Sequence, residues 1–111
     1  DLEFTDGDDQ PRDSSSASIA ACGMLEMSKY LEPAEAEYYK GLAAKLMKSV
    51  YDNYAVKDFE TSNGLVLHST YSNHSPYNTC DHKGVDECNA WGDYFYMEAL
   101  TRMEKDWTLY W

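Results

Sequence analysis

The sequence is poor in basic residues, and no long apolar run interrupts it. Nine Lys and Arg residues stand against twenty Asp and Glu residues, which gives a formal net charge of −11 at pH 7. Nucleic acids and anionic membranes both attract proteins through a basic surface, so neither is an expected partner. No stretch has the length and apolar character of a membrane-spanning helix, and no signal-peptide pattern is present. The sequence therefore predicts neither export nor membrane insertion.

Cysteine is also scarce, and its pattern indicates reduced thiols. The chain has three cysteines, Cys22, Cys80 and Cys88, and Cys22 lies in an apolar helical stretch. An odd number placed in this way does not suggest a disulfide framework, so we expect a cytoplasmic protein. The histidines at 68, 74 and 82 lie near two of these cysteines. Their spacing matches no common zinc pattern, so ordinary loop residues are the better interpretation and no metal site is predicted.

Aromatic residues, in contrast, are abundant. Ten Tyr, three Trp and three Phe occur in 111 residues. Each aromatic ring buries a large area, while Tyr and Trp keep a polar atom for hydrogen bonding. Such a set serves either a core or a binding surface, including one for sugar rings. Burial in the core is the default interpretation.

Helical periodicity predicts three helices. The first spans about 16–31 and follows a cap from Asp13, Ser14 or Ser15. The second spans about 33–54 and begins at a first-turn proline. The third spans about 89–107. The first helix is rich in small residues, which is typical of an inner helix packed on more than one side. Three helices cannot bury all the apolar faces of this pattern, so the chain is expected to be a piece of a larger assembly.

Between the last two helices lies a long irregular stretch, 55–88, with a short strand possible at 65–67 after an Asn-Gly turn signal. A loop of this length inside a compact domain is usually functional or disordered, and its Tyr and His content favours function. An acidic irregular segment, 1–12, precedes the first helix.

Three segments carry a family resemblance. Residues 11–27, PRDSSSASIAACGMLEM, residues 74–78, HSPYN, and residues 83–111, which contain WGDYFYMEAL, occur in one order and at plausible spacing. The chain resembles the C-terminal portion of the unsaturated glucuronyl hydrolases, glycoside hydrolase family 88. The resemblance implies an all-α fold, the C-terminal part of an (α/α)6 barrel with about three helices and a long loop. Residues 1–111 would be one segment of a single barrel domain.

The resemblance also implies a reaction. Members of this family remove a 4,5-unsaturated uronic acid from lyase-generated oligosaccharides by hydration of the double bond. Two aspartates act in that reaction, and both lie upstream of the region seen here. No catalytic residue is therefore assigned, and the chain alone is expected to be inactive. Acid, base and water suffice for the reaction, so no cofactor is implied.

The residues that match the family's substrate contacts lie near the third helix. Tyr77 matches a tyrosine that lines the pocket. Asn78, Asp81 and Lys83 align with two serines and a lysine that recognise a sulfate in some members, and only the lysine is retained. Trp91 is either a sugar-stacking residue or a core residue, and the helical pattern favours the core. The substrate-binding candidates are Tyr77, Asn78, Asp81, Lys83 and Trp91.

The acidic residues near the third helix have plainer explanations than catalysis. Asp81, Asp86 and Glu87 are read as a solvated acidic loop. Asp93 is read as a cap or as a charge at the positive helix end. The family pattern retains this residue, so the resemblance also implies a structural role for Asp93 near the site. Expected partners are the unsaturated oligosaccharide and the missing hairpins, or another chain, that would cover the apolar faces.

The competing function is a non-catalytic acidic interaction module of helical hairpins, but the repeat period of about 34 residues typical of such proteins is absent.

Overall fold

A computed structural model of the chain describes residues 11–60, 62–71 and 84–109. The α-helices in these residues are α1 (Ser14–Met27), α2 (Pro33–Asn53) and α3 (Ala90–Glu104). One turn of 3-10 helix, Ser28–Tyr30, follows α1 directly. The predicted all-α class, with three helices and a long loop, is confirmed for this part of the chain.

The first helix begins where the sequence predicts and ends earlier. The side chain of Asp13 accepts hydrogen bonds from the Ser15 backbone N–H at 3.1 Å and from Ser15 Oγ at 2.6 Å, so Asp13 is the cap. At the other end, Ser28 Oγ donates to the Leu25 carbonyl at 2.7 Å. A serine that bonds the backbone of the preceding turn favours a helix end. The α-helix accordingly ends at Met27 and tightens into the 3-10 turn.

The second helix returns antiparallel to the first. Pro33 occupies its first turn, where a missing N–H costs no helical hydrogen bond. Arg12 Nη1, just before α1, donates to Tyr54 Oη at 3.1 Å, just after α2. The start of α1 and the end of α2 are therefore neighbours, which makes the pair an αα-hairpin.

The third helix runs parallel to the first. Ser15 lies beside Gly92, the Cys22 thiol donates to the Phe95 carbonyl at 3.5 Å, and Glu26 pairs with Arg102. These contacts advance in the same direction along both helices. Two parallel helices joined through an antiparallel one are the repeating arrangement of an α/α barrel, in which α1 and α3 would be inner helices and α2 an outer one.

Small residues bring the helices close together. Ala21, Ala43 and Ala99 are fully buried, one from each helix. An alanine at a helix contact lets the two backbones approach more closely than a larger side chain would. The remaining core residues fill the space around them: Cys22, Met47, Val50, Val66 and Tyr96.

The third helix ends before the predicted boundary at Trp107. Lys105 has extended backbone angles, and its N–H makes the last capping bond, to the Thr101 carbonyl at 2.9 Å. Trp107 then folds back, so that Arg102 lies over its indole ring with 5.3 Å between guanidinium carbon and ring centroid. Lys29 Nζ, at the end of α1, also donates to the Trp107 carbonyl at 3.1 Å, a long-range contact that helical periodicity does not reveal.

The short strand predicted at 65–67 is reduced to one bridge. Val66 pairs with Ala55 in an isolated antiparallel bridge, flanked by hydrogen bonds from Val56 to Leu65 and from Leu67 to Tyr54. The next residue, His68, has a positive φ of 61°. That backbone conformation turns the chain away and ends the pairing.

Apolar surface remains open on α1 and α3, as the sequence pattern predicts. Tyr94, Met97 and Leu100 follow one another at three-residue spacing on α3 and are 41%, 57% and 42% exposed. On α1, Ile19 and Met27 are about as open, at 41% and 39%. The described helices therefore bury one face of α1 and of α3 and leave a second apolar face uncovered.

Two glycines provide a matched test of the packing of the loop against the start of α3. A Cβ at Gly92 would lie 2.7 Å from Ser69 Oγ and 2.9 Å from Asn89 Oδ1, whereas a Cβ at Gly41 would meet nothing within 4 Å. We expect Gly92→Ala to lower the free energy of unfolding by about 1–3 kcal/mol through overpacking. Gly41→Ala should raise it by up to about 1 kcal/mol through helix propensity. Urea unfolding measures both, and equal effects would contradict the close approach at Gly92.

Candidate functional site

The starts of α1 and α3 lie at one end of the molecule, and the long loop is fixed across them. The Ser14 N–H donates to the His68 carbonyl at 3.0 Å, and Ser14 Oγ donates to the Leu67 carbonyl at 2.7 Å. The Thr70 N–H reaches Asp13 Oδ1 at 3.3 Å. The first-turn residue Ser14, whose backbone N–H has no acceptor within α1, and the cap residue Asp13 therefore hold loop residues 67–70 in place.

Asp93 fixes the same loop to α3. Its Oδ1 accepts from the backbone N–H groups of Leu65 and Val66, both at 3.0 Å. The cap of α3 is Asn89, whose Oδ1 accepts from the Gly92 N–H at 2.7 Å. The cap interpretation of Asp93 is therefore wrong, although the residue does lie in the first turn of the helix. The carboxylate satisfies two loop amides 27 and 28 residues away in sequence.

Cys88 lies beside this carboxylate and is held as a neutral thiol. Its Sγ is 3.6 Å from Asp93 Oδ1 and 3.5 Å from Oδ2. Burial and the adjacent negative charge of Asp93 raise the pKa of the Cys88 thiol. A Cβ at Gly64 would lie only 1.9 Å from this sulfur, so the turn at 63–64 requires glycine.

The residues on either side of 72–83 are joined to each other. The Tyr71 N–H donates to the Gly84 carbonyl at 2.8 Å, and Ser69 and Glu87 exchange backbone hydrogen bonds at 2.8 and 3.0 Å. The side chains of His68 and Asp86 add a contact of 2.9 Å between Nδ1 and Oδ1. The segment that contains Tyr77 therefore leaves and re-enters the described structure at one place, beside the start of α3.

An open aromatic pair stands at the same place. The rings of Trp91 and Tyr71 meet edge to face, with 5.9 Å between centroids and 85° between planes. Trp91 is 43% exposed and Tyr71 is 54% exposed. Trp91 is therefore outside the core that the described residues form. Tyr71 was not singled out from the sequence, because nothing in its neighbourhood distinguishes it from the other tyrosines of the loop.

Four of the five predicted substrate contacts, Tyr77, Asn78, Asp81 and Lys83, lie outside the described residues and stay predictions. The same holds for His74, Cys80 and His82. In the part of the chain that the structure describes, no group of three His, Cys, Asp or Glu side chains is placed to hold a metal ion.

At the opposite end, a buried ionic cluster joins α1 to α3. Arg102 donates from Nε to Glu98 Oε1 at 2.8 Å and from Nη1 to Glu26 Oε2 at 2.5 Å. The Arg102 and Glu98 side chains are only 5% and 3% exposed. Lys29 Nζ also donates to Glu26 Oε2, at 2.8 Å. Hydrogen bonds from Lys29 and then Arg102 hold the pKa of Glu26 below its usual value.

The cluster also controls the protonation of nearby groups. Burial, followed by the charge of Glu98, raises the pKa of the Cys22 thiol to about 12. Burial and Glu98 likewise raise the pKa of the Tyr94 phenol. For Arg102, burial acts to lower the pKa, but its hydrogen bonds to Glu26 and Glu98 outweigh burial and raise it. Cys22 is therefore a packing residue at neutral pH, without the thiolate that nucleophilic chemistry requires.

Removing the central cation should be costly. Arg102→Ala leaves Glu98 buried without its partner, so we expect a loss of about 3–5 kcal/mol in the free energy of unfolding. The matched control is Lys48→Ala, which breaks an exposed pair with Asp52 on one helix and should cost less than about 1 kcal/mol. Denaturant unfolding compares the two variants, and similar losses would show that the cluster does not join the helices.

Comparison with known proteins identifies relatives that are similar to the whole of this chain. No family model matches the chain. It is 47% identical over all of its length to the unsaturated chondroitin disaccharide hydrolase of Streptococcus pneumoniae, of which it covers 27%. It is 34% identical over 90% of its length to the unsaturated glucuronyl hydrolase of Bacillus sp. (strain GL1), of which it covers 26%.

Solved structures of unsaturated glucuronyl hydrolases also match the structure of this chain. The unsaturated glucuronyl hydrolase of Streptococcus agalactiae matches 97% of this chain with a TM-score of 0.82 at 45% identity, and the match covers 28% of that structure. The enzyme from Bacillus sp. GL1, described as responsible for the degradation of glycosaminoglycan, matches 93% with a TM-score of 0.73 at 29% identity, over 26% of that structure.

The helices described here thus form part of an α/α-barrel glycoside hydrolase fold. Over its whole length the chain is similar to unsaturated glucuronyl hydrolases, and the resemblance to the C-terminal portion of that family is confirmed. It spans 27% of the length of the first curated relatives it matches. Within the described residues, no helix is both long and apolar enough to cross a membrane.

Proposed function

We propose that this chain forms one wall of the substrate site of an unsaturated glucuronyl hydrolase. The observation that carries the proposal is the open pair of Trp91 and Tyr71, which stands where α1 and α3 begin and where the segment 72–83 is anchored. Exposed aromatic rings beside convergent polar groups suit the apolar faces and hydroxyls of a sugar. The relatives named above act on unsaturated glucuronyl and chondroitin disaccharide substrates, as their names state.

The proposed reaction is hydration of the 4,5 double bond of a terminal unsaturated uronic acid. An acid protonates C4, water adds at C5, and the resulting hemiketal opens and releases the remaining sugar. Two aspartates, one of them protonated, do this work. We propose that neither belongs to this chain. In support, Asp13 caps α1, Asp86 contacts His68, and Asp93 binds loop amides, so each has a structural task.

We further propose that other helical hairpins, in the same polypeptide or in another chain, cover the open apolar faces of α1 and α3. Closed rings of hairpins bury both faces of their inner helices. The family match, together with coverage of about a quarter of each relative, supports this assignment. A free-standing interaction module is not favoured, because the relatives over the whole chain are hydrolases.

The substrate contacts proposed from the sequence are Tyr77, Asn78, Asp81, Lys83 and Trp91. Lys83 can pair with an anionic group of the sugar. Asp81 would repel a sulfate placed within a few ångströms of it. Unsulfated disaccharides are therefore the proposed substrates.

A chimeric enzyme tests the aromatic wall. In it, this chain replaces the matching segment of the Streptococcus agalactiae hydrolase, and loss of the unsaturated chromophore reports activity. We expect Trp91→Ala to lower kcat/KM about two- to twelvefold, since a stacking contact contributes about 0.5–1.5 kcal/mol. Trp91→Phe should keep most of the activity.

The control for Trp91→Ala is Tyr38→Ala. Tyr38 also makes an edge-to-face aromatic pair, with 5.3 Å between its ring centroid and that of Tyr39 on α2. Tyr38 is 66% exposed and lies on the proposed outer helix. Full activity of Trp91→Ala, or an equal loss in Tyr38→Ala, would contradict a substrate contact at Trp91.

Sulfate discrimination is tested in the same chimera. We expect faster turnover of an unsulfated than of a sulfated unsaturated chondroitin disaccharide. Asp81→Ser should reduce the difference in turnover between the two substrates, because it removes the repulsion between the Asp81 carboxylate and the sulfate. Asp52→Ser, on the surface of α2, should leave this difference unchanged. Equal or faster turnover of the sulfated substrate by the unmodified chimera would rule the preference out.

A further inference from the structure

We propose that Asp93 is a positioning residue for substrate binding, which acts through the loop that carries Tyr71. This inference rests on the proposed substrate wall of Trp91 and Tyr71, and it adds a residue that does not itself touch the substrate. Asp93 Oδ1 accepts hydrogen bonds from the backbone N–H groups of Leu65 and Val66, both at 3.0 Å. The carboxylate therefore ties the loop to α3, the helix on which Trp91 lies.

Asp93 and Trp91 lie on different sides of α3. Residues two positions apart on an α-helix project about 200° apart around its axis. Trp91 is exposed and meets the ring of Tyr71, whereas Asp93 is partly buried and binds the loop. Asp93 therefore acts on a ligand of the Trp91–Tyr71 pair through the position of the loop and not by contact.

The Val66 amide has no route to water at its present position. Val66 is 1% exposed, belongs to the hydrophobic core, and pairs with Ala55 in the isolated bridge after α2. A buried N–H group that loses its acceptor is costly, and this cost favours any arrangement in which the group finds another partner. Loss of the Asp93 carboxylate is therefore expected to move the loop.

A short path leads from the anchored residues to the aromatic pair. Tyr71 follows Val66 by five residues. Between them, Ser69 is fully buried, exchanges backbone hydrogen bonds with Glu87, and lies so close to Gly92 of α3 that a Cβ there would be 2.7 Å from its Oγ. The position of the Tyr71 ring therefore follows from where residues 65–69 lie against α3.

Anchors on α1 hold the same loop to a different helix. Ser14 binds the carbonyl groups of residues 67 and 68, and Asp13 accepts from the Thr70 N–H. These contacts fix the loop relative to α1, whereas Trp91 lies on α3. The hydrogen bonds of Asp93 fix the loop relative to the helix that bears Trp91, which is the requirement for a defined Trp91–Tyr71 pair.

Steady-state kinetics of the Streptococcus agalactiae chimera, with unsulfated unsaturated chondroitin disaccharide, test the assignment. We expect Asp93→Ala to raise KM about two- to twelvefold, the contribution of one aromatic contact, and to leave kcat unchanged. Asp93→Asn should keep the KM of the unmodified chimera, because its amide oxygen can accept from the same two N–H groups. A KM for Asp93→Asn as high as that of Asp93→Ala would overturn the assignment.

A double variant decides whether Asp93 acts through Tyr71. We expect Tyr71→Ala alone to raise KM about two- to twelvefold. Adding Asp93→Ala to Tyr71→Ala should raise KM no further, because the ring that Asp93 positions is already absent. A further rise in the double variant, equal to the rise in Asp93→Ala alone, would contradict an action through the loop.

Two controls separate positioning from a general loss of structure. Asp58→Ala makes the same chemical change at a carboxylate whose Oδ1 accepts from the Glu60 N–H at 2.9 Å, a contact between near neighbours in sequence. Met47→Ala removes a buried core side chain of α2 and lowers stability. Both variants should keep the KM of the unmodified chimera at a temperature at which they are folded. A rise in KM in Met47→Ala equal to that in Asp93→Ala would overturn the positioning role.

Amide hydrogen exchange distinguishes failure of this inference from failure of the proposed substrate wall. We expect the Leu65 and Val66 amides of the chimera to exchange about tenfold faster in Asp93→Ala. Unchanged exchange would overturn the inference, as would a raised KM in Tyr71→Ala with an unchanged KM in Asp93→Ala. Unchanged KM in both Trp91→Ala and Tyr71→Ala would refute the substrate wall itself, and the inference with it.

Discussion

Arg102 sets the geometry on which the other features depend. Its guanidinium bonds Glu98 one turn earlier on α3 and Glu26 on α1, within an interface that leaves the Arg102 side chain 5% exposed. The buried Arg102 cation is paired with both carboxylates, and the buried carboxylate of Glu98 needs this cation, so the two helices have one favourable register at this end. Fully buried alanines on α1 and α3 allow the backbones to approach along the rest of the contact. The fixed register of a parallel pair follows from these two features.

The register of α1 against α3 also fixes how the two helices lie at their other end, where both of them bind the long loop. The start of α1 binds residues 67–70 through its amides and cap, and Asp93 on α3 binds residues 65 and 66. Because Gly92 has no Cβ, the side chains of Ser69 in the loop and of Asn89 at the cap of α3 can both pack against it. The loop is therefore held by two helices at once, and the open aromatic pair and the anchor of 72–83 are placed relative to both. A site made in this way depends on helix packing as much as on the residues that would touch a substrate.

The sequence predicts local features of this molecule well and tertiary ones poorly. Pro33 and the helical spacing of the apolar residues define α2 closely, and Asp13 is identifiable as a cap from residue type and position alone. The end of α3 was missed because Trp107 folds back onto Arg102, a contact that periodicity does not contain. The cap reading of Asp93 failed for a related reason, since its partners lie 27 and 28 residues away, whereas its reading as a charge in the first turn of α3 agrees with the structure. Trp91 could not be assigned from a helical pattern because α3 is apolar on a buried face and on an open one.

The central claim is that this chain supplies a substrate wall and that the acid catalyst lies elsewhere in the enzyme. The most direct measurement follows the ultraviolet absorbance of an unsaturated, unsulfated chondroitin disaccharide with the 111-residue chain alone and with the Streptococcus agalactiae chimera that contains it. The account predicts that the chimera removes the chromophore and that the chain alone leaves it intact. Loss of the chromophore with the chain alone would contradict the account, because the catalytic acid would then have to be one of its own residues.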